Sequence, residues 1–318
     1  MSKGKYSAVD CNGWFGHENY RRFDADELVV GIDCAKMAFY AAMMGDDFND
    51  FDVVYFERDD IPSFVGKLAD LPFETVTLVV EPTGTYADAL MDQARQAGLG
   101  VVRINGDRVN KSADVFDGVP SMHDGKAAYL LARLYLHEVG EVWEQNTDEQ
   151  RDLRALAQMD QLVEKSQQML RGPLEALLAR HWPELGSMLS LTSATLLELV
   201  ATYGSAAEVA RCPDEAEALM RQVGGPLLSD DKIEAILASA RETIGVDPTP
   251  LETTYLQFVA GTLRQAARGG KDVQRQIEQA AVEDEQTRQM VGFTGKRTAV
   301  TFVALLGALT DYESAGQL

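Results

Sequence analysis

Three acids, Asp33, Glu81 and Asp124, are the side chains with the most chemistry to offer in this sequence. Asp33 closes the run Leu28-Val29-Val30-Gly31-Ile32-Asp33-Cys34-Ala35-Lys36, whose apolar and β-branched residues predict a strand covered on both faces. An unpaired carboxylate there would cost several kcal/mol. It can cap the turn that follows, the commoner use of an acid at a strand end, or it can be compensated by a divalent cation. Two further acids bear on that choice. Glu81 ends the apolar run Thr75 to Val80 and opens Glu81-Pro82-Thr83-Gly84-Thr85-Tyr86, while His123-Asp124 opens a helical pattern over Gly125 to Leu136.

The elements between these acids set how they could meet. Residues 1–26 mix Gly, Asn and His with aromatics and show no helical or strand period, which predicts a poorly ordered arm. The acid strand, a second apolar run Met37 to Met44 and a third over Asp52 to Arg58 are separated by short turns and predict an antiparallel meander. Ile61, Phe64, Val65 and Leu68 have helical spacing with Pro62 in the first turn. A strand to Val80, a helix over Tyr86 to Ala97, a strand over Gly100 to Asn105 and the helix after Asp124 complete the domain. Three strands, helix, strand, helix, strand, helix is the order of a ribonuclease H-like fold, in which acids from two strands and a later helix meet around metal.

Beyond Trp143 the pattern becomes helical. Leu153, Leu156, Leu162, Val163, Met169, Leu170, Leu174 and Leu177 predict one long helix ending at Pro183. Shorter helices follow over Leu189 to Val200, Ala206 to Arg211, Asp214 to Val223 and Asp231 to Ile244. A second long pattern over Leu251 to Met290 is expected to break at Gly269-Gly270. Such stripes predict a bundle core or a coiled-coil dimer seam rather than a ligand site.

Composition narrows the class. With 318 residues, 46% of them hydrophobic, the chain can bury more than one core. Cys11, Cys34 and Cys212 are too few and too scattered for a disulfide framework or a zinc knuckle, and no apolar run reaches the length of a membrane span. A cytoplasmic protein with no membrane partner is the expectation. Against 50 Asp and Glu stand 29 Lys and Arg, and a net charge of -21 argues against a simple nucleic-acid coat protein. Local basic patches remain at Arg21-Arg22, Arg103 to Lys111 and Lys296-Arg297.

Gly31 to Lys36, Glu81 to Tyr86 and the stretch through His123-Asp124 together resemble the DEDD transposases of insertion sequence 110, relatives of the Piv-type DNA invertases. Arg108, Lys111, Ala128, Leu131 and Ala132 keep the same register. The resemblance implies a RuvC-like ribonuclease H fold over residues 27–143, a helical or coiled-coil arm over 144–290 and, from 291 to 318, the start of a second conserved domain. It implies DNA strand exchange guided by a structured non-coding RNA, in a homo-oligomer (dimer or tetramer), with Mg2+ held by Asp33, Glu81 and Asp124. Lys36, Thr83, Tyr86, Arg103, Arg108 and Lys111 are the nucleic-acid candidates beside that site. In the second domain the candidates are Gly292, Gly295, Lys296 and Arg297, in Val291-Gly292-Phe293-Thr294-Gly295-Lys296, which resembles a helix-hairpin-helix.

Two departures follow from the resemblance. The fourth acid is expected three residues after Asp124, where the chain has Ala127. Either the site is impaired, the favoured expectation, or Asp117 or Asp114 substitutes from the preceding loop. The family's serine nucleophile is expected beyond Leu318, which predicts a catalytically inactive chain. Two alternatives have other functions: a domesticated, non-catalytic RNA- or DNA-binding regulator, and a ribonuclease H-fold kinase or ATPase, which lacks support because no second Asp-Gly-Gly phosphate loop is found.

Overall fold

A computed structural model of the chain describes residues 5–81, 84–144 and 146–306. It divides into two compact units, Met1–Gln145 and Asn146–Leu318. The first contains β1 (Val9–Asp10), α1 (Cys11–Gly16), β2 (Glu27–Cys34), β3 (Ala38–Met44), β4 (Phe51–Glu57), α2 (Ile61–Ala69), β5 (Thr75–Val80), α3 (Asp88–Gln96), β6 (Gly100–Arg103), α4 (Gly106–Lys111), α5 (Asp124–Leu136) and β7 (Glu141–Val142).

The seven strands form one mixed sheet in the order β1-β4-β3-β2-β5-β6-β7. β2, β3 and β4 are the expected antiparallel meander, and β5 then returns parallel to β2 with Ile32 opposite Val80. Alternation along β2 divides the two faces. Leu28, Val30 and Ile32 pack with Phe64, Leu68, Leu90 and Met91 of α2 and α3, whereas Val29 packs with Ala42, Met44, Val53 and Val79 beneath α5. A mixed sheet with helices on both faces in this strand order is consistent with a ribonuclease H-like fold.

The stretch without periodicity at the N-terminus is folded where it is described. Asp10 caps α1 by accepting a hydrogen bond from Gly13 N at 2.8 Å, and Val9 pairs in parallel with Val54. Trp14 is 1% exposed, and its indole N–H donates to Asp52 at 2.7 Å. A two-residue strand and a six-residue helix are too short to show a period, so the sequence pattern misses them.

The second unit is all helical: α6 (Asp148–His181), α7 (Pro183–Met188), α8 (Ala194–Tyr203), α9 (Ala206–Arg211), α10 (Pro213–Gly224), α11 (Asp230–Glu242), α12 (Pro250–Glu283), α13 (Glu285–Thr294) and α14 (Lys296–Leu306). Thr147 with Gln150, and Thr249 with Glu252, form capping boxes that start the two 34-residue helices α6 and α12. Leu153, Leu156 and Ala157 meet Val273, Ile277 and Ala281, while Leu174 and Leu178 share a core with Leu256, Val259 and Leu263, so the two helices run antiparallel.

The expected break at Gly269-Gly270 does not occur. A Cβ on Gly270 would lie 2.9 Å from Val163 Cγ1 and 3.1 Å from Gln167 Nε2, so the missing side chain lets α12 press against α6. That contact offsets the roughly 1 kcal/mol that a helical glycine costs. The helix ends instead at Asp284, whose carboxylate accepts from Thr287 N at 2.7 Å and caps α13.

Candidate metal and nucleic-acid site

Asp33 has the same strand parity as Val29 and Gly31, and Glu81 follows Val80 with the parity of Val79. Both acids therefore belong to the sheet face covered by α5, at neighbouring ends of parallel strands. The third acid reaches that end because of Gly31. A Cβ there would lie 2.1 Å from Ala128 O and 2.4 Å from Ala132 N, so only glycine lets α5 lie this close to β2. Asp124 is one turn before Ala128 on the same stripe. At the opposite end of α5 the Tyr135 hydroxyl donates to Glu27 Oε1 at 3.0 Å, so the helix runs antiparallel to β2 and its first turn lies toward Asp33.

Asp124 and Glu81 are both near enough to act on Asp33 electrostatically. Burial pushes the Asp33 carboxyl up to about 6, and the negative charges of Asp124 and Glu81 push in the same direction. No Lys or Arg among the described residues forms an ion pair with any of these three acids. The Glu81 carboxylate lies over Gly106, where a Cβ would come within 2.2 Å of Oε1. Gly106 opens α4 behind the Asn105 cap, a position whose importance no sequence period signals.

The donors fit a hard divalent cation in kind: carboxylate oxygens on one face, with no cationic side chain paired to them. They do not close on one point, since among the described residues no three His, Cys, Asp or Glu side chains are grouped tightly enough to hold a metal ion. Ala127, 7% exposed and three residues after Asp124, supplies no oxygen. Asp117 does not make good the loss. Its carboxylate accepts from Lys126 Nζ, the Tyr6 hydroxyl and Val119 N, each at 2.9 Å, which holds it well down, at about 2. Asp114 is exposed on the same loop.

The nucleic-acid candidates divide. Arg103 and Arg108 line one cavity of about 420 Å3 with Asn105, Glu138 and Glu141, and Lys111 is exposed at the end of α4. Lys36 is exposed in the turn after Asp33, Tyr86 is 40% exposed, and Thr83 lies outside the described residues. In the second unit Gly292 lies within α13, Gly295 takes a positive φ of 81° between α13 and α14, and Lys296 begins α14, all three exposed. Arg297 is paired with Asp160 and, at 2.7 Å, with Glu164, so it ties α14 to α6. Lys126 and Tyr6, which no sequence period singles out, both hydrogen-bond Asp117 and contact the loop and first turn around Asp124.

Residues 30–183 match the family model of the DEDD transposases of insertion sequence 110, described as Transposase. Members generally depend on metal, and the family implies binding to DNA. No curated protein matches the chain. No helix among the described residues is long and apolar enough to cross a membrane.

Proposed function

We propose that the chain is an insertion-element transposase or site-specific recombinase whose Asp33, Glu81 and Asp124 hold Mg2+ at the end of the sheet. One observation carries this reading: Asp33 is raised to about 6 by burial and by the negative charges of Asp124 and Glu81, and no Lys or Arg among the described residues is paired with any of the three. Bound magnesium supplies positive charge against the negative charge that develops at phosphorus. The chain's own residues orient it: Asp33 from a rigid strand, Glu81 against Gly106, and Asp124 from a helix fixed by Gly31. Arg103, Arg108 and Lys111 bind phosphates of DNA or of a structured non-coding guide RNA beside the acids. The antiparallel α6 and α12 form the coiled-coil-like arm through which a dimer or tetramer assembles in the cytoplasm.

Ala127 favours a second reading, in which the chain keeps the fold and nucleic-acid binding but catalyses weakly or not at all. A site with three carboxylates instead of four holds a hard cation less tightly, because a charge and a coordination bond are both lost. Calorimetric titration with Mg2+ tests the site itself. Wild type should bind, and Asp33→Asn should bind far more weakly; equal affinity in the two would refute the assignment.

A further inference from the structure

The first turn of α5 is held by the loop before it and by the N-terminal segment. Lys126 is 2% exposed, and its Nζ donates to Asp117 Oδ1 at 2.9 Å and to Val119 O at 2.5 Å. The other oxygen of Asp117 accepts from the Tyr6 hydroxyl at 2.9 Å. Tyr6 packs its ring at 5.2 Å from Tyr129 and edge-on at 5.6 Å from His123, and its carbonyl would lie 2.6 Å from a Cβ on Gly125. His123 in turn caps the helix, its Nδ1 accepting from Lys126 N at 3.3 Å. The residues flanking Asp124, together with Lys126 beyond them, are thus each held by a contact to the N-terminal segment or to the loop before α5.

Asp124 itself is exposed and has no hydrogen bond or ion pair among those described. Its place is therefore set by the turn that carries it. A buried ammonium is tolerated only where its partners are fixed, which makes the Lys126 contact demanding in geometry. We propose that Lys126, with Asp117 and Tyr6, is the positioning group for Asp124: it locks the first turn of α5 so that this carboxylate stays on the sheet face shared by Asp33 and Glu81. The role rests on the reading of those three acids as a metal site. It also gives Asp117 a function different from that of a substitute ligand, since it acts on the metal only through the helix.

The test is Mn2+ binding to the full chain, by calorimetry and by the electron paramagnetic resonance signal of the bound ion, in wild type, Lys126→Met, Asp124→Asn and the double variant. Lys126→Met is expected to weaken binding about tenfold, as supporting contacts around a site typically do. In the Asp124→Asn background the same change should have no further effect, because the two act through one carboxylate. Tyr6→Phe keeps the ring packing and loses only the hydroxyl; it should weaken binding less, in the same non-additive way, and it carries the test if Lys126→Met does not fold. Unchanged affinity in the variants, or equal weakening with and without Asp124, would overturn the positioning role alone. Absence of Mn2+ binding in wild type would overturn the metal reading and the role with it.

Discussion

Gly31 and Ala128 touch backbone to backbone: a methyl group on Gly31 would fall 2.1 Å from the Ala128 carbonyl oxygen, inside any permissible contact. Strand and helix are spaced by the absence of a side chain, and the distance from Asp124 to the sheet is set by that spacing.

Gly31→Ala should therefore act on stability and on the site together. Overpacking of a rigid contact costs about 1–3 kcal/mol, and here both colliding atoms belong to backbone, so the upper end is expected. Chemical denaturation measures the loss, and metal titration of the folded fraction should show weaker binding. An unaltered denaturation midpoint would mean that β2 and α5 can separate freely.

The Asp33 carboxyl gives a pH dependence of definite sign. Its folded value of about 6 lies above the ordinary ~3.9 of an unfolded chain, so between these values the folded state keeps a proton that the unfolded state has lost. In metal-free protein this contribution is complete below about pH 4 and is lost as pH rises through about 6. Asp33→Asn does not titrate, so its stability relative to wild type should rise between those limits in the presence of chelator. A difference that stays flat across the range would show that Asp33 is not desolvated.

Ala127→Asp introduces a carboxylate at a buried position three residues after Asp124. Without metal, the added charge should destabilise the fold, since a buried unpaired carboxylate is costly. With Mg2+ it becomes a fourth oxygen donor and should bind more tightly than wild type. Thermal unfolding with and without Mg2+ separates the two effects: the metal-induced rise in Tm should be larger for the variant. Equal rises would mean that position 127 does not face the site.

Arg103, Arg108 and Lys111 can be tested by salt. If each neutralises one phosphate, replacing all three with alanine should make the plot of log affinity against log salt shallower by about 2 to 3, through fewer released counterions. Filter binding with structured RNA and with duplex DNA supplies the slopes. Identical slopes for wild type and the triple variant would leave these residues as an ordinary solvated face, a strong competitor in a chain of net charge -21.

The parts of the fold legible in the sequence are those with a repeating pattern. Leu28 to Ile32, Thr75 to Val80 and the helix from Asp124 announce themselves by continuous or periodic apolar character, and the three acids lie at their ends. Contacts between distant residues are not written in any period. Asp117 is recognisable as an acid near the site, but its engagement by Tyr6, separated from it by 111 positions, could not be read locally. Gly269-Gly270 looked like a break for the opposite reason: local propensity is visible, whereas the approach of Val163 that overrides it is not. Arg297 likewise reads as a free cation until Asp160 and Glu164 are found beside it.

The dependence of Asp124 on Tyr6 and of α5 on β2 also orders events during synthesis. The sheet face of Val29, Ala42, Met44, Val53 and Val79 lacks Ala128, Tyr129, Leu131 and Ala132 until α5 is made, and Tyr6 lacks its Asp117 partner, and Asp117 its Lys126, until those residues follow. At about 5–20 residues per second, the emerging chain leaves that apolar face open for on the order of 10 s. Nascent chains arrested before residue 124 should accordingly be cut by protease within β2 to β5 and held by chaperones, whereas chains arrested well after Leu136 has left the ribosome should resist.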